Sequence, residues 1–455
     1  MHLTGTPVSS LGVVGDDDEF RRSDEPQIEP PLFVATLRRH VLSWTSRGFL
    51  AVTDEFLVSL SHLILNLALA RWLSSIDYGA FTIAYSTFLL LGIVHTALLT
   101  EPLMVFGSSK YAASFVPYVR SLIKGHFIGT GVLGVLLAFS GVLLVPSVPS
   151  VGVALIYLGV CAPFILLPWL LRRACYARFR PGAAATGGAL YCASVLAGLF
   201  GLAYAGLLST SAALLLMAGA SLLASVYMLR AIASASAEEP PPAAASDMTA
   251  DHWRYGRWAL GSGVLTWLPA SIYYYLLPYL AGVEAAGELK AIMNLLLPVL
   301  HGYTALSMIL LPALSGVRSR VELRSRVRHA LLLYLAPALL YAGFLMVWHR
   351  QIFDWLYAGQ YSGVSWLLPV AAPMVVGAGL AAVYATTLRA LQRPDRVFWS
   401  YAWATGAALT VGVTLTIEFR LLGALVGLTL SYFSLAVAAR LNLLNVMARG
   451  RAAGV

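Results

Sequence analysis

The chain has 455 residues, of which 59% are hydrophobic and only 11% are charged. Soluble domains carry about 25% charged residues, so this composition excludes an ordinary soluble protein and indicates a polytopic membrane protein. The net charge of +9 is explained by membrane topology, so no nucleic-acid partner is expected. The three cysteines have no spacing that would indicate a disulfide framework or a metal site.

The first 47 residues form a predicted cytoplasmic tail. The segment from Met1 to Pro30 is polar and acidic and lacks the early apolar core of a cleavable signal. In the segment that follows, Leu32 to Trp44, apolar residues at helical spacing lie opposite Arg38 and Arg39. This pattern predicts a short helix lying on the membrane surface, with a solvated connector as the alternative.

Twelve apolar windows are long enough to cross a membrane, which takes about 20 residues. They lie at residues 49–71, 80–106, 123–145, 151–171, 184–207, 210–229, 258–281, 290–312, 330–348, 364–388, 397–417 and 421–444. One side of these spans holds only four basic residues, Arg71, Lys290, Arg350 and Arg420, which leaves 26 of the 30 on the other side. The positive-inside rule then predicts that both termini are cytoplasmic.

The only long connection is Ala/Ser/Pro-rich and covers residues 231–256. It divides the chain into an N-lobe at 48–230 and a C-lobe at 257–446, each with six spans, followed by a cytoplasmic tail at 447–455. Because six is even, any internal repeat would be parallel. In both lobes the first outer turn contains an acid and a glycine, in "SSIDYGAF" (Ser74 to Phe81) and "AGVEAAGEL" (Ala281 to Leu289).

Three stretches carry a resemblance to a known family: "LALARWLSSIDYGAFTIAYSTFLLL", "HTALLTEPLMVFG" and "IFDWLYAGQYSGVSWLLPV". They resemble bacterial polysaccharide-transport proteins, the lipid-linked oligosaccharide flippases of the multidrug/oligosaccharidyl-lipid/polysaccharide exporter superfamily. The resemblance covers about residues 45 to 445. It implies an all-α protein with two six-helix lobes around a central cavity, located in the bacterial inner membrane.

The resemblance also implies a function and partners. Alternating access would move a polyprenyl-diphosphate-linked oligosaccharide, an O-antigen or exopolysaccharide repeat unit, from the cytoplasmic to the outer leaflet. The expected partners are this lipid-linked oligosaccharide, membrane lipids, a polysaccharide polymerase and a chain-length regulator. The expected protein is a monomer with no resident cofactor.

Polar residues of the first span form a stripe. Glu55, Ser59, His62 and Asn66 lie within an arc of about 60° on a helix. Ionisable groups in hydrocarbon usually face the bundle interior or a water-filled cavity. The stripe therefore predicts a cavity wall that offers acceptors and a titratable imidazole, with an interhelical hydrogen-bond seam as an equally open alternative.

Only three acids enter a span: Asp54, Glu55 and Glu101. Counted along their helices, Glu55 and Glu101 reach a similar depth near the cytoplasmic end. Pro102 removes the amide that would bond to the carbonyl of Leu98, which predicts a bend. The three acids and Pro102 are therefore predicted to form an inner-gate element that could couple transport to H⁺ or Na⁺.

A deeper site is predicted from His62, Asn66, His95 and His301, and Asn294 is counted among the residues of the predicted cavity. Imidazoles titrate near neutrality and would suit a diphosphate or a proton, although a single histidine in a span is more often a packing group. A diphosphate favours cations, and no Arg or Lys lies deep in any predicted span. We therefore expect either that the histidines bind the headgroup or that it is bound at the rim.

The seventh span is rich in aromatic residues, among them Trp267 and Tyr274 within "TWLPASIYYYLLPYL". Aromatic faces with hydroxyls would stack on sugar rings, and an interfacial aromatic belt is the alternative. These two residues complete the predicted substrate cavity.

Two other functions are compatible with the sequence. A cation-coupled multidrug exporter of the same superfamily would use the span acids as its ion site. A membrane glycosyltransferase or polysaccharide polymerase would need a sizeable outer loop, whereas the outer loops here have about five to fifteen residues. An enzyme is therefore not expected.

Overall fold

The structure is a computed structural model that describes residues 31–178, 180–233, 245–315, 317 and 319–452. The chain divides into two units, residues 1–49 and residues 50–455. In the first unit only the helical backbone of residues 31–49 is described, and it covers the helix predicted at residues 32–44. The rest of the predicted tail, residues 1–30, and most of the predicted linker, residues 234–244, lie outside the described residues. The side-chain contacts given below all belong to the second unit.

The secondary structure of the described residues is helical throughout, which confirms the all-α prediction. The helices are α1 (Pro31–Trp72), α2 (Ser75–His95), α3 (Glu101–Phe106), α4 (Phe115–Leu144), α5 (Pro149–Ala177), α6 (Pro181–Tyr204), α7 (Thr210–Ala233), α8 (Ala245–Ser271), α9 (Tyr273–Ala281), α10 (Glu284–Ser315), α11 (Arg320–Tyr357), α12 (Leu368–Ala371), α13 (Met374–Ala390), α14 (Pro394–Ala407) and α15 (Val413–Ala452). A proline starts α5, α6 and α14, where its fixed φ suits the first turn and its missing amide needs no partner.

Among the described residues, ten helical stretches are long and apolar enough to cross a membrane, so the chain is a multi-pass membrane protein. The predicted seventh span is divided between α8 and α9, which meet at Ile272. The predicted eleventh and twelfth spans share one continuous stretch, Pro394–Ala448. There the chain turns at Arg420, whose φ is +52°, and Gly412 packs against Gly427 across the turn. These two differences account for the step from twelve predicted spans to ten.

The helices pack in two sets. In the first half, residues 50–233, helix α5 contacts α2, α4, α6 and α7. Paired glycines bring α4 and α5 together, because Gly134 meets Gly159 and Gly141 meets Gly152 with no room for a Cβ. In the second half, residues 245–452, α13 and α15 hold the central positions.

The two halves meet at the end of the spans that holds few basic residues, called here the arginine-poor end. Helix α2 packs along α10, and a Cβ on Gly79 would lie 2.1 Å from the carbonyl oxygen of Val283. Gly287 approaches the same turn. The acid-and-glycine turns that the sequence places at the start of each lobe therefore contact each other directly.

The halves also meet at the opposite, arginine-rich end, through α8. Gly256 packs on the carbonyl oxygen of Ala97 and Gly263 on the side chain of Ile93, so α8 lies against the end of α2. Next to this contact, Asp251 of α8 accepts hydrogen bonds from the Lys110 ammonium and the Tyr111 hydroxyl.

Candidate functional site

The polar stripe of α1 runs from an accessible end to a packed end. The Glu55 side chain is 66% exposed, Ser59 and His62 are half-buried, and Asn66 is buried. The Asn66 amide donates to the carbonyl of His62 at 2.8 Å, and His62 Nδ1 lies 3.5 Å from the Tyr85 hydroxyl. The two interpretations of the stripe therefore apply to its two ends, an accessible wall near Glu55 and a packing seam near Asn66.

Asp54 is fully buried beside this stripe and is paired. Arg172 of α5 donates to Asp54 Oδ2 through Nε at 2.9 Å and Nη2 at 2.8 Å. The same Nη2 donates to Glu55 Oε2 at 3.0 Å, and the Tyr176 hydroxyl also donates to Asp54 Oδ2. The other oxygen, Oδ1, lies against Gly188 and has no hydrogen-bond partner among the described residues. One guanidinium thus joins α1 to α5 and serves two carboxylates.

A buried lysine lies between the two halves. Lys290 of α10 is only 7% exposed, and its ammonium is 5.0 Å from the centre of the Tyr85 ring on α2. In the described part of the chain no carboxylate forms an ion pair with it. Its charge acts on the imidazoles of His62 and His301. A cation held out of water without a counter-ion is unfavourable, so the ligand that this site would stabilise is an anion.

Helix α10 carries its own polar stripe, because Lys290, Asn294 and His301 lie within an arc of about 40°. The buried Asn294 amide donates to the Tyr78 hydroxyl at 2.9 Å, and its oxygen has no partner among the described residues. His301 is exposed and lies within electrostatic range of Glu55. We call Glu55, His62, Lys290 and His301 the central cluster.

His95 is not part of the central cluster. Its Nε2 lies 3.0 Å from Nδ1 of His126 on α4, and His126 Nε2 lies 2.8 Å from the carbonyl oxygen of Pro163 on α5. A carbonyl only accepts, so His126 Nε2 carries the hydrogen and its Nδ1 accepts from His95. His95 therefore ties α2 to α4 and α5, which agrees with the packing alternative for this residue.

The aromatic residues of the seventh span have different surroundings. Tyr274 is buried. The Trp267 ring lies 6.0 Å from the ring of Tyr275, whose hydroxyl is 3.2 Å from the Thr87 hydroxyl on α2. Trp267 is half-buried, and its indole N–H has no partner among the described residues. Of the two predicted sugar-stacking residues, Trp267 is the one that keeps an unused donor.

Pro102 leaves the Leu98 carbonyl without its usual partner, and the structure shows what replaces it. His252 Nδ1 of α8 donates to that carbonyl at 2.8 Å, and the other ring nitrogen of His252 lies 2.7 Å from the Tyr118 hydroxyl. The preceding residues, Thr96–Thr100, form a π turn, in which the helix takes in one extra residue. The proline thus creates the acceptor that attaches α8 to the first half.

The predicted acidic gate is divided between two places. Glu55 pairs with Arg172, whereas Glu101 lines an open cleft of about 860 Å³ at the arginine-rich end. The other wall of this cleft belongs to α8 and includes Arg254 and Thr266. No contact between Glu55 and Glu101 is found within the described chain.

Hydropathy did not reveal either cation of the site. It placed Arg172 just beyond a span ending at residue 171 and Lys290 at the rim of another span. In the structure α5 continues to Ala177, the Arg172 side chain is only 13% exposed and Lys290 is only 7% exposed, so both cations are buried between helices. A signal was present, because two acids of the first span require a cation at the same depth.

Comparison with known proteins identifies the fold. Neither a family model nor a curated protein matches the sequence. The structure of a lipid II flippase, MurJ, in an inward closed conformation is similar with a TM-score of 0.71 and 13% identity, over 88% of this chain and 87% of that one. The structure of an inward-facing multidrug resistance MATE family transporter of the MOP superfamily is similar with a TM-score of 0.68 and 13% identity, over 88% of this chain and 98% of that one. The structure of a MATE transporter from Vibrio cholerae is similar with a TM-score of 0.57 and 16% identity, over 89% of this chain and 98% of that one. The chain therefore has the fold of these transporters.

Proposed function

We propose that this protein is a transporter of the MOP superfamily and not an enzyme. It moves a polyprenyl-diphosphate-linked oligosaccharide, an O-antigen or exopolysaccharide repeat unit, from the cytoplasmic to the outer leaflet of the bacterial inner membrane. Residues 48–230 and 257–446 act as two lobes that alternate around a central cavity, with both termini in the cytoplasm. The protein acts as a monomer next to a polysaccharide polymerase and a chain-length regulator.

The observation that supports this substrate is the buried, unpaired ammonium of Lys290. A diphosphate would provide the counter-ion that the described chain does not, and charge-assisted hydrogen bonds to phosphate are among the strongest that proteins make. The imidazoles of His62 and His301 are within electrostatic range of this ammonium, and they would be the further hydrogen-bond donors to the same anion. Trp267 offers an aromatic face for the sugar, and its buried indole N–H, which has no partner among the described residues, would become a further donor if the side chain moved.

Coupling to H⁺ or Na⁺ is proposed at the Asp54–Glu55 pair. Glu55 is the accessible acid, and it shares the Arg172 guanidinium with the buried Asp54. A proton or Na⁺ on Glu55 would leave Arg172 to Asp54 alone and would change the charge of the central cluster. This gives the transported anion and the coupling cation one shared electrostatic site.

A cation-coupled multidrug exporter is the second candidate, because MATE transporters share the fold and the same two acids could bind the coupling cation. The charge of the central cluster distinguishes the two functions. An unpaired lysine would repel cationic drugs and attract a diphosphate. The gene neighbourhood offers an independent check, since glycosyltransferase genes alongside would favour the flippase.

The test is Lys290→Gln in the bacterial host, with Lys124→Gln as the matched control because Lys124 is exposed at the arginine-rich end of α4. Losing one charge-assisted contact costs about 1.5–3 kcal/mol, or roughly tenfold to a hundredfold in substrate binding. We expect Lys290→Gln to lower surface polysaccharide by at least about tenfold at unchanged protein abundance, with lipid-linked oligosaccharide accumulating in the membrane. Normal polysaccharide together with altered drug susceptibility would favour the exporter instead.

A further inference from the structure

A groove of about 440 Å³ lies at the arginine-rich end of the second half, between α11, α13 and α15. Its walls hold four arginines: Arg320, Arg324, Arg328 and Arg440. Its floor is apolar and is formed mainly by Leu323, Val327, Leu331, Leu443 and Met447. The groove combines positively charged walls with an apolar floor, and it is separate from the central cluster.

Helical geometry produces this combination. Arg320, Arg324 and Arg328 follow one another every four residues on α11, so they form one stripe. The apolar residues of α11 that line the floor, Leu323, Val327 and Leu331, have the same four-residue spacing, and each of the first two comes one position before an arginine, so they form the neighbouring stripe. Like charges four residues apart on a helix repel each other, so this face of α11 gains stability when an anion binds it.

The acid available on this segment neutralises a different arginine. Glu322 pairs with Arg326, which also donates to the carbonyl of Ala313. Within the described ranges, Arg324 and Arg328 form no ion pair. The arginine outside the groove is thus compensated, whereas these two arginines in the groove are left for an external anion.

The groove is held open by a contact between its two walls. Arg320 of α11 donates to the carbonyl of Met447 on α15 at 3.0 Å. This bond fixes the ends of the two helices at a set distance, while the side chains of Arg324, Arg328 and Arg440 remain exposed. Tyr384 of α13 adds a hydroxyl to the lining.

We propose that this groove binds one anionic phospholipid. The phosphate lies among Arg324, Arg328 and Arg440, and one acyl chain lies along the apolar floor. The groove is at the boundary of the apolar spans, where headgroups occur, and each basic side chain near an anionic membrane surface contributes to lipid attraction. The bound lipid joins α11 to α15 whatever substrate the protein carries.

The experiment measures lipid retention by native mass spectrometry. The purified full chain is mixed with phosphatidylglycerol or phosphatidylcholine of identical acyl chains, for the wild type, for Arg324→Gln/Arg328→Gln and for Arg350→Gln. Arg350 lies on the same helix near its other end and controls for the general loss of charge. A fourth variant, Val327→Phe, fills the floor and keeps every charge.

The wild type is expected to retain one phosphatidylglycerol in preference to phosphatidylcholine. Arg324→Gln/Arg328→Gln should weaken that retention roughly thirtyfold, Val327→Phe should also lower it, and Arg350→Gln should leave it unchanged. Equal retention of the two lipids by the wild type would overturn the proposal. So would unchanged retention in the double variant, and so would an equal loss in Arg350→Gln. A double variant that keeps the lipid but loses surface polysaccharide would assign the groove to the transported substrate instead.

Discussion

Two adjacent carboxylates of α1 share one guanidinium, but the exposed fractions of their side chains are very different. Asp54 has no exposed side-chain surface, whereas Glu55 is 66% exposed. Breaking a buried ion pair leaves an uncompensated charge, while an exposed pair contributes little. Asp54 is therefore a stabilising residue for the α1–α5 contact, and Glu55 is the accessible acid to which the proposed coupling is assigned.

This difference predicts opposite outcomes for two similar substitutions. Asp54→Asn should lower the free energy of unfolding by up to about 3–5 kcal/mol, because the buried Arg172 charge would keep only the exposed Glu55 as its counter-ion. Glu55→Gln should change it by less than about 1 kcal/mol. Thermal unfolding of both purified variants in the same detergent checks this. Equal destabilisation by the two substitutions would contradict the assignment.

The same stripe also predicts an effect on transport. Glu55→Gln and His62→Ala should each reduce surface polysaccharide while leaving protein abundance unchanged, because both residues belong to the central cluster. Asn66→Ala is the matched comparison, since Asn66 lies at the packed end of the stripe. Asn66→Ala should lower the abundance of the protein more than it lowers transport by the protein that remains. Normal polysaccharide from Glu55→Gln and His62→Ala would assign the whole stripe to packing.

The His252 contact gives a prediction about pH. Burial lowers the pKa of His252 below its ordinary value of 6.5, although the bond to the Leu98 carbonyl and the charge of Asp251 oppose this shift. The folded contact therefore binds fewer protons than the opened one, and its stability is present above pH 6.5 and is lost as the pH falls below that value. Tyr118 faces the other ring nitrogen and does not titrate in this range.

The expected result is faster hydrogen exchange at the start of α8 at pH 5.5 than at pH 7.5, after correction for intrinsic rates. His252→Ala should exchange fast at both values, because the Leu98 carbonyl then has no donor from α8. Identical protection of the wild type at the two pH values would show that His252 does not hold this contact.

At the scale of elements, α2 makes the most consequential contacts, because it touches the second half at both ends. At the arginine-poor end it depends on a glycine, since a Cβ on Gly79 would lie 2.1 Å from the Val283 carbonyl oxygen. At the other end it depends on a proline, since Pro102 frees the carbonyl that His252 uses. Neither residue has a side chain that could act on a substrate, and both set how the halves meet.

Gly79→Ala should therefore destabilise the protein, by about 1–3 kcal/mol for an overpacked contact. Gly201→Ala on α6 is the control, because nothing lies within 4 Å of a Cβ there. That substitution should be neutral or should stabilise the helix by up to about 1 kcal/mol. Thermal melting of the two purified variants compares them directly. A Gly79→Ala variant as stable as Gly201→Ala would show that the α2–α10 contact accommodates the added Cβ without loss of stability.

The elements themselves were largely predictable from the sequence. Apolar runs of about 20 residues have one stable solution in a membrane, the helix, so the spans follow from hydropathy alone. Their ends were less predictable, because a paired arginine can extend a span beyond its apolar window, as Arg172 does in α5. The π turn at Thr96–Thr100 has no signal except the proline that follows it.

The site was predictable in part. Helical periodicity identified the α1 stripe, since that pattern depends only on spacing within one element. The partners of those residues lie far away in sequence: Arg172 is 118 residues from Asp54, and Lys290 reaches α2 from the second half. Such contacts depend on how the helices pack, which periodicity does not determine. For the same reason the sequence grouped His95 with His62 and His301, whereas packing places it against His126.

For the whole molecule, the two halves are in contact at both ends of the spans. The α2–α10 contact and a bond from Arg71 to the carbonyl of Trp355 join them at the arginine-poor end. Helix α8 joins them at the arginine-rich end through His252. In the proposed alternating-access cycle, one set of contacts would break while the other is kept, with the central cluster between them.

A flipping assay shows directly whether the charge of Lys290 selects a diphosphate-linked lipid, as proposed. Wild type and Lys290→Gln are reconstituted into liposomes with a short fluorescent polyprenyl-diphosphate-linked oligosaccharide, and its movement between leaflets is followed by quenching from outside. We expect the wild type to move this lipid, Lys290→Gln to move it at least about tenfold more slowly, and neither protein to move the same polyprenol without its diphosphate. Equal rates for the two proteins, or equal movement of the lipid without phosphate, would show that the Lys290 charge does not select the diphosphate.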